Sequence, residues 1–315
     1  MISLGVVASY AVSRVAPVLS ALTVAVVLGA LARNIGLTGR RVLPGITIAT
    51  KRLLRAGVVL LGLQLSVSQV LDLPYGVLLV VVVTVGATFA GTLLLGRWLG
   101  VRPGTALLVA TGFSICGASA AAAMNAASDS DEEDLATAVG LVTMYGGLMI
   151  VVLPLLQSPL GLSAEQFGIW SGASVHEVAQ VVAAASAAGT AAIAVATVVK
   201  LTRVLLLVPM ITAYGLVQRR RSDAGDQGKR PPLVPLFVLG FVAAVAVRST
   251  GLLPGGVLDT AKTLTTLLLA GALFGLGSAV DVRSLVRTGG RALALGAGST
   301  VIALMVSLLG IWAVT

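Results

Sequence analysis

The chain has 315 residues, 57% of them hydrophobic and 10% charged, with a formal net charge of +9. Soluble domains hold about 25% charged residues, so this composition, with a mean hydropathy of +1.04, excludes a soluble enzyme or binding module. It indicates an all-α polytopic membrane protein, with the lipid bilayer as one partner. In such a chain positive charge reports topology through short basic loops, so nucleic acid is not an expected partner. With a single cysteine, Cys116, no intramolecular disulfide can form.

A span needs about 20 apolar residues. The apolar run before Arg14 is read as mature chain, because its basic residue follows that run instead of preceding it. Ten spans are expected, at 15–33, 43–65, 75–97, 104–127, 135–156, 164–187, 191–217, 233–250, 257–278 and 289–314. The second opens on a basic turn, so its apolar part begins near Leu53. The loops then sort by charge. Most of the 21 basic residues fall on one side: Arg33, Arg40, Arg41, Lys51, Arg52 and Arg55; Arg97 and Arg102; Arg219, Arg220, Arg221, Lys229 and Arg230; Arg283, Arg287 and Arg291. The other side has Arg14, Arg248 and Lys262, and the acidic run Asp129, Asp131, Glu132, Glu133, Asp134. Basic loops stay in the cytoplasm. Both termini are therefore expected outside it, in a single transmembrane domain over 1–315.

Internal similarity adds an architecture. Gly62-Leu63 recurs as Gly275-Leu276, Leu94-Leu95-Gly96 as Leu308-Leu309-Gly310, and Arg33-x-x-Gly36-Leu37 as Arg248-x-x-Gly251-Leu252. Spans 1–3 (15–97) thus resemble spans 8–10 (233–314). An odd number of spans separates them, so the copies run oppositely, as in transporters built from inverted repeats. A second match pairs Gly117-Ala118-Ser119 with Gly172-Ala173-Ser174, and Pro154 with Pro209 at the same spacing. Full crossing by every span would make that pair parallel.

Two spans are interrupted. Within 104–127 stands G-F-S-I-C-G-A-S-A from Gly112; within 164–187 stands G-I-W-S-G-A-S-V-H-E-V-A-Q from Gly168. Glycine loosens a helix, and the freed backbone groups must find partners inside protein or along a cavity. Pro103 suits a first helical position. An α-helix from Gly104 to Ser114 rises roughly 16 Å, placing the break near mid-membrane. Ser163-x-x-Gln166 and Ser174-x-x-Glu177 read as capping boxes. They predict a helix from Ala164 to Ser171, a break at Gly172 and a new start at Ser174. Helix starts within a membrane present unpaired N–H groups and a positive dipole end, which attract anions.

Few charges remain inside the spans. Glu177 is the acid, Lys200 and Arg203 are the bases, and His176 is the chain's single histidine. Each charge costs about 2.5–3.5 kcal/mol at a helix centre on insertion scales, so each needs a partner or a role. The candidate anion site comprises Ser114, Cys116, Gly117, Ser119, Asn125, Ser171, Gly172, Ser174, Gln180, Lys200 and Arg203, with His176 and Glu177 as proton-coupling candidates. Alternatives stand beside it. Lys200 is equally suited to propping the broken helices against their dipoles. Glu177 is suited to a buried ion pair with Lys200 or Arg203, His176 to a satisfied core position, and Cys116 to a small buried hydrophobe. Trp98, Trp170 and Trp312 read as interfacial or packing residues.

G-F-S-I-C-G-A-S-A, S-V-H-E-V-A-Q-V-V-A-A and K-L-T-R-V-L-L-L-V-P resemble the signature segments of the YeiH-like sulfate exporter family of bacterial inner-membrane proteins, over about Leu19 to Leu309. The resemblance implies export of sulfate or sulfite. It also implies a fold similar to the bile-acid symporter and sodium/proton antiporter group, with two crossing broken helices. Those folds cross helices 4 and 9, whereas here the pair reads as 4 and 6. The expected function is a secondary transporter, in the export direction, of a small inorganic oxyanion. Rivals are a proton- or sodium-coupled transporter of an organic anion, sulfonate or carboxylate, and a cation/proton antiporter. A receptor or scaffold without transport is a further rival. An enzyme is not expected: His176-Glu177 lacks the second histidine of H-E-x-x-H, since Gln180 stands there. No G-x-x-x-x-G-K-[ST] occurs, so no nucleotide-driven pump is expected on this chain. No cofactor or metal is expected, and a homodimer is one compatible assembly.

Overall fold

The computed structural model describes residues 2–15, 21–37, 43–128, 130–221, 236–278 and 282–314. Among them every regular element is helical. That follows from the composition, because in hydrocarbon each backbone N–H and C=O needs a partner within its own segment. In chain order the helices are α1 (Ile2–Val15), α2 (Ala21–Asn34), α3 (Leu43–Leu61), α4 (Val67–Leu71), α5 (Tyr75–Trp98), α6 (Pro103–Ser114), α7 (Ala118–Asn125), α8 (Glu132–Gln157), α9 (Ala164–Ser174), α10 (Val178–Ala185), α11 (Thr190–Leu205), α12 (Leu207–Arg221), α13 (Leu236–Ser249), α14 (Gly255–Gly277) and α15 (Val282–Val314).

Five stretches among the described residues are long and apolar enough to cross a membrane: Tyr75–Trp98, Glu132–Gln157, Thr190–Gln218, Gly255–Gly275 and Gly289–Val314. They coincide with five expected spans. The expected spans at 15–33, 43–65 and 233–250 fall on α2, α3 and α13, of which α2 and α13 have 14 residues each. Those at 104–127 and 164–187 fall on the pairs α6–α7 and α9–α10. Helix α1 was not expected. Its 14 residues are fewer than the about 20 a span needs, yet it packs on α2 and α14, with Gly5 against the Phe274 ring.

Helix α14 lies against both α2 and α3, α13 against α3, and α5 along α15. Small residues sit where these helices approach. A methyl at Gly310 would meet Val80 Cβ at 3.5 Å and its Cγ2 at 2.9 Å, and one at Gly91 would meet Ile302 at 2.9 Å. Such residues allow the close backbone approach that membrane packing relies on. Helix α15 also touches α6, α8 and α9, tying the interrupted helices to the long ones.

Trp98 and Trp312 are 82% and 51% exposed, whereas Trp170 is buried with Nε1 donating to the Leu304 carbonyl at 3.0 Å. Arg40, Arg41, Lys229, Arg230 and Asp129 lie outside the described residues, as do the side chains of Arg14, Lys51, Arg219, Arg220, Arg221, Arg283 and Arg287.

Candidate functional site

The site is built on two helix interruptions. Pro103 is the first residue of α6, where its missing N–H leaves no helix bond unmade. That helix ends at Ser114, and Ile115-Cys116-Gly117 links it to α7. Gly117 caps α7 with φ +78° and ψ −137°, a region open in practice to glycine alone. The second linker is Val175-His176-Glu177. Val175 and Glu177 are extended, with ψ of 149° and 150°.

The second break differs from the sequence expectation. Helix α9 runs through Gly172 to Ser174 instead of breaking at Gly172. The Ser174 hydroxyl donates back to the Trp170 carbonyl at 2.6 Å instead of starting a helix. Glu177 is the N-cap of α10, with Gln180 three residues on, its Oε1 accepting the Glu177 N–H at 3.1 Å. Ser-x-x-Glu and Glu-x-x-Gln overlap here, and packing selects between them. A methyl at Gly172 would meet the Ala196 carbonyl oxygen at 2.5 Å and Val199 Cβ at 2.8 Å. Gly172 therefore serves close packing of α9 on α11, not a hinge. The match of Gly117-Ala118-Ser119 to Gly172-Ala173-Ser174 pairs a helix start with a helix end. Ser119 is likewise not a cap: it is the second residue of α7, with its hydroxyl on the Cys116 carbonyl at 3.2 Å and 3.1 Å from Cys116 Sγ.

The carboxyl ends of α6 and α9 converge on the two buried cations of α11. A helix end leaves its last carbonyls without intrahelical partners. Lys200 Nζ donates to the Ile115 carbonyl at 2.5 Å and the Val175 carbonyl at 2.7 Å. The Arg203 guanidinium spans both helices. Its Nε and Nη2 donate to the Ser114 carbonyl at 3.0 and 2.8 Å, and Nη2 also to Phe113 at 2.8 Å. Its Nη1 donates to Gly172 at 3.2 Å and Val175 at 3.0 Å. Both cations are 0% exposed. Their charge faces the negative ends of two helix dipoles, where a cation is favoured. Neither forms an ion pair with Glu177 within 4.0 Å among the described residues.

The amino ends of α7 and α10 converge on Glu177. It begins α10 and also lies against the other break: a methyl at Gly117 would meet Glu177 Cγ at 2.5 Å and Oε1 at 3.2 Å. Ala118, the first residue of α7, follows Gly117 directly, so the start of that helix adjoins the Glu177 side chain. One negative group thus sits at two positive helix ends. Unlike the cations, it is incompletely used. Its Oε2 has no hydrogen-bond partner, and neither do Gln180 Nε2, His176 Nδ1 and Ser171 Oγ, all of them buried. The His176 Nε2 lies 3.2 Å from Thr300 Oγ1 on α15, and its ring lies 4.2 Å from that of Phe113. Gln180 fills the space over Gly146 of α8, which a methyl there would occupy.

The two interruptions thus bring together Ser114, Cys116, Gly117, Ser119, Ser171, Gly172, Ser174, His176, Glu177, Gln180, Lys200 and Arg203. Asn125 stands apart. It is the last residue of α7, half-buried and about 10 Å along the axis from Ala118, with Oδ1 unpartnered. Sequence reasoning passed over Phe113, Ile115 and Val175, whose contribution is backbone carbonyls that any residue type provides. It also passed over Thr300, which lies 124 residues from His176 and carries no local motif.

Comparison with known proteins places the chain. The family model described as Conserved hypothetical protein 698 matches residues 1–296. A UPF0324 membrane protein of Corynebacterium glutamicum is 46% identical over 291 residues, covering 92% of this chain and 84% of that protein. One of Brucella melitensis is 36% identical over 273 residues, 87% of this chain and 76% of its own length. The UPF0324 membrane protein TauZ of Paracoccus pantotrophus is 35% identical over 285 residues, 89% of this chain and 84% of its own length. No solved structure matches. The chain belongs to the family of UPF0324 membrane proteins, the YeiH-like group that its interrupted segments resemble.

Proposed function

We propose that this membrane protein is a secondary transporter that exports a small inorganic oxyanion, sulfate or sulfite, across the bacterial inner membrane. The observation that carries the reading is the meeting of two helix amino ends at a buried cluster of unpartnered polar atoms, inside an otherwise apolar bundle. In this reading α6–α7 and α9–α10 are two broken spans crossing near the bilayer midplane. Half-helix amino ends facing the substrate are how many transporters hold an anion at that depth.

The flanking helices support the same architecture. Exchanging α2, α3 and α5 with α13, α14 and α15 maps the α14–α2 contact onto the α3–α13 contact, and returns the α3–α14 and α5–α15 contacts to themselves. An inverted repeat produces that pattern. The negative cell interior supplies direction, since each charge is driven outward by about 2.3 kcal/mol per 100 mV.

The division of labour differs from that expected of the sequence. Lys200 and Arg203 are engaged by carbonyls and hold the scaffold, while the substrate meets the amides of α7 and α10 with Ser171, His176 and Gln180. The test is flux of radiolabelled sulfate, and separately of sulfite, into proteoliposomes. Saturable flux blocked by competing oxyanions is expected for at least one of them. If neither exceeds empty liposomes under a potential of either sign, the oxyanion reading fails.

A further inference from the structure

The Glu177–Gln180 capping box leaves one acceptor and one donor without partners, and these two atoms constrain the ligand. Gln180 Oε1 is occupied by the Glu177 amide, so its Nε2 is the atom left to donate. Glu177 Oε2 is the carboxylate oxygen left without a partner. Both side chains are buried, Gln180 completely. Ser171 Oγ and His176 Nδ1 are also buried and unpartnered, on the last turn of α9 and the linker that follows it.

A fully ionised oxyanion offers acceptors alone. It would satisfy Gln180 Nε2, but with Glu177 ionised its oxygens would face the carboxylate with no proton between them, and like charges in a buried site repel strongly. Lys200 and Arg203 donate to helix carbonyls, and neither donates to Glu177. The remaining titratable groups facing the crossing are Cys116 and His176. An oxyanion carrying one O–H offers a donor and acceptors at once, the complement of an unpartnered Glu177 Oε2 and Gln180 Nε2.

Resting on the oxyanion reading above, we infer that the site takes a singly protonated oxyanion and that Glu177 rejects the unprotonated one. The chemical class is hydrogensulfite in its hydroxyl form, hydrogencarbonate and hydrogenphosphate; sulfate, which carries no proton near neutral pH, is disfavoured. A buried acceptor built to receive a ligand O–H discriminates strongly against an analogue lacking it.

Radiolabelled sulfite, inorganic phosphate and sulfate distinguish the outcomes in proteoliposomes of the full chain. Hydrogenphosphate and sulfate are a matched pair, alike in shape and differing in the O–H. Wild type is expected to move both sulfite and phosphate at least about tenfold faster than sulfate at equal concentration. The isosteric Glu177→Gln, which replaces the acceptor by a donor, should raise sulfate flux and reduce the preference to about twofold or less. Thermal unfolding in detergent checks that this variant folds, and the wild-type ratio stands as a test without it. Sulfate flux in wild type equal to or above that of sulfite, or of phosphate, overturns the inference and leaves the oxyanion reading intact. A preference unchanged in Glu177→Gln does the same. Absence of flux for all three anions removes both.

Discussion

The two kinds of helix end at the crossing are treated oppositely. At the carboxyl ends of α6 and α9 both cations donate to backbone carbonyls. At the amino ends of α7 and α10 a single carboxylate serves two helices and keeps a free oxygen, with unpartnered donors around it. The lesson is that intramembrane charge alone does not mark a substrate contact. In the reading proposed above, the cations serve the scaffold, and the buried polar groups with capacity left between the two interruptions are the candidates for contact with a ligand, because the membrane offers them no water.

That contrast can be broken in several ways, and the largest effect is expected at Arg203. Arg203→Ala strips partners from the Phe113, Ser114, Gly172 and Val175 carbonyls, and each buried unpaired acceptor costs about 1–3 kcal/mol. A loss of at least about 4 kcal/mol, seen as poor recovery of folded protein and a much lower unfolding temperature, is expected. Arg203→Lys should rescue little, since a point charge cannot span two helices as the planar fork does. Stable Arg203→Ala protein lacking only transport would place the guanidinium at the substrate instead. Lys200→Ala, with two carbonyls at stake, should cost about 2–4 kcal/mol by the same measurement.

Gly117→Ala probes the point where the two breaks touch. Its positive φ costs a side chain about 1–3 kcal/mol, and the new methyl would press on Glu177 Cγ. Part of that loss should disappear in a Glu177→Ala background, giving a coupling of roughly 0.5–3 kcal/mol in a double-mutant cycle. Additive effects would show that the carboxylate does not lie over Gly117. Glu177→Gln itself should shift stability by about 1 kcal/mol or less, because the shape and one acceptor remain. The smallest effect is expected outside the crossing. Arg102 and Glu133 pair at 3.2 Å with both side chains more than half exposed, so Arg102→Ala should change stability by less than about 1 kcal/mol and leave flux unaltered.

Much of the site was legible because the membrane makes polar residues conspicuous. Among so few intramembrane charges, Glu177, Lys200, Arg203 and His176 could be singled out by elimination, and the Gly-Ser interruptions located the breaks to within a turn. The finer assignments failed for a specific reason. Ser174 and Glu177 each offer a legitimate cap three residues before a Glu or Gln, and local chemistry does not rank them. Packing does: Gly172 lies too close to Ala196 and Val199 for α9 to break there. The count of helices was also incomplete, because α1 is shorter than a span and its helicity depends on α2 and α14.

Sequence alone determined that this chain is helical and belongs in a membrane, since its composition is apolar and hydrocarbon admits no unpaired backbone. Only the tertiary structure decided which ends the charges serve. Lys200 and Arg203 reach carbonyls more than 80 residues away at the end of α6 as well as those nearer in sequence at the end of α9, and Glu177 lies against the backbone of Gly117 at the start of α7. Those partners are backbone groups, identical at every residue, so no pattern of side chains could announce them.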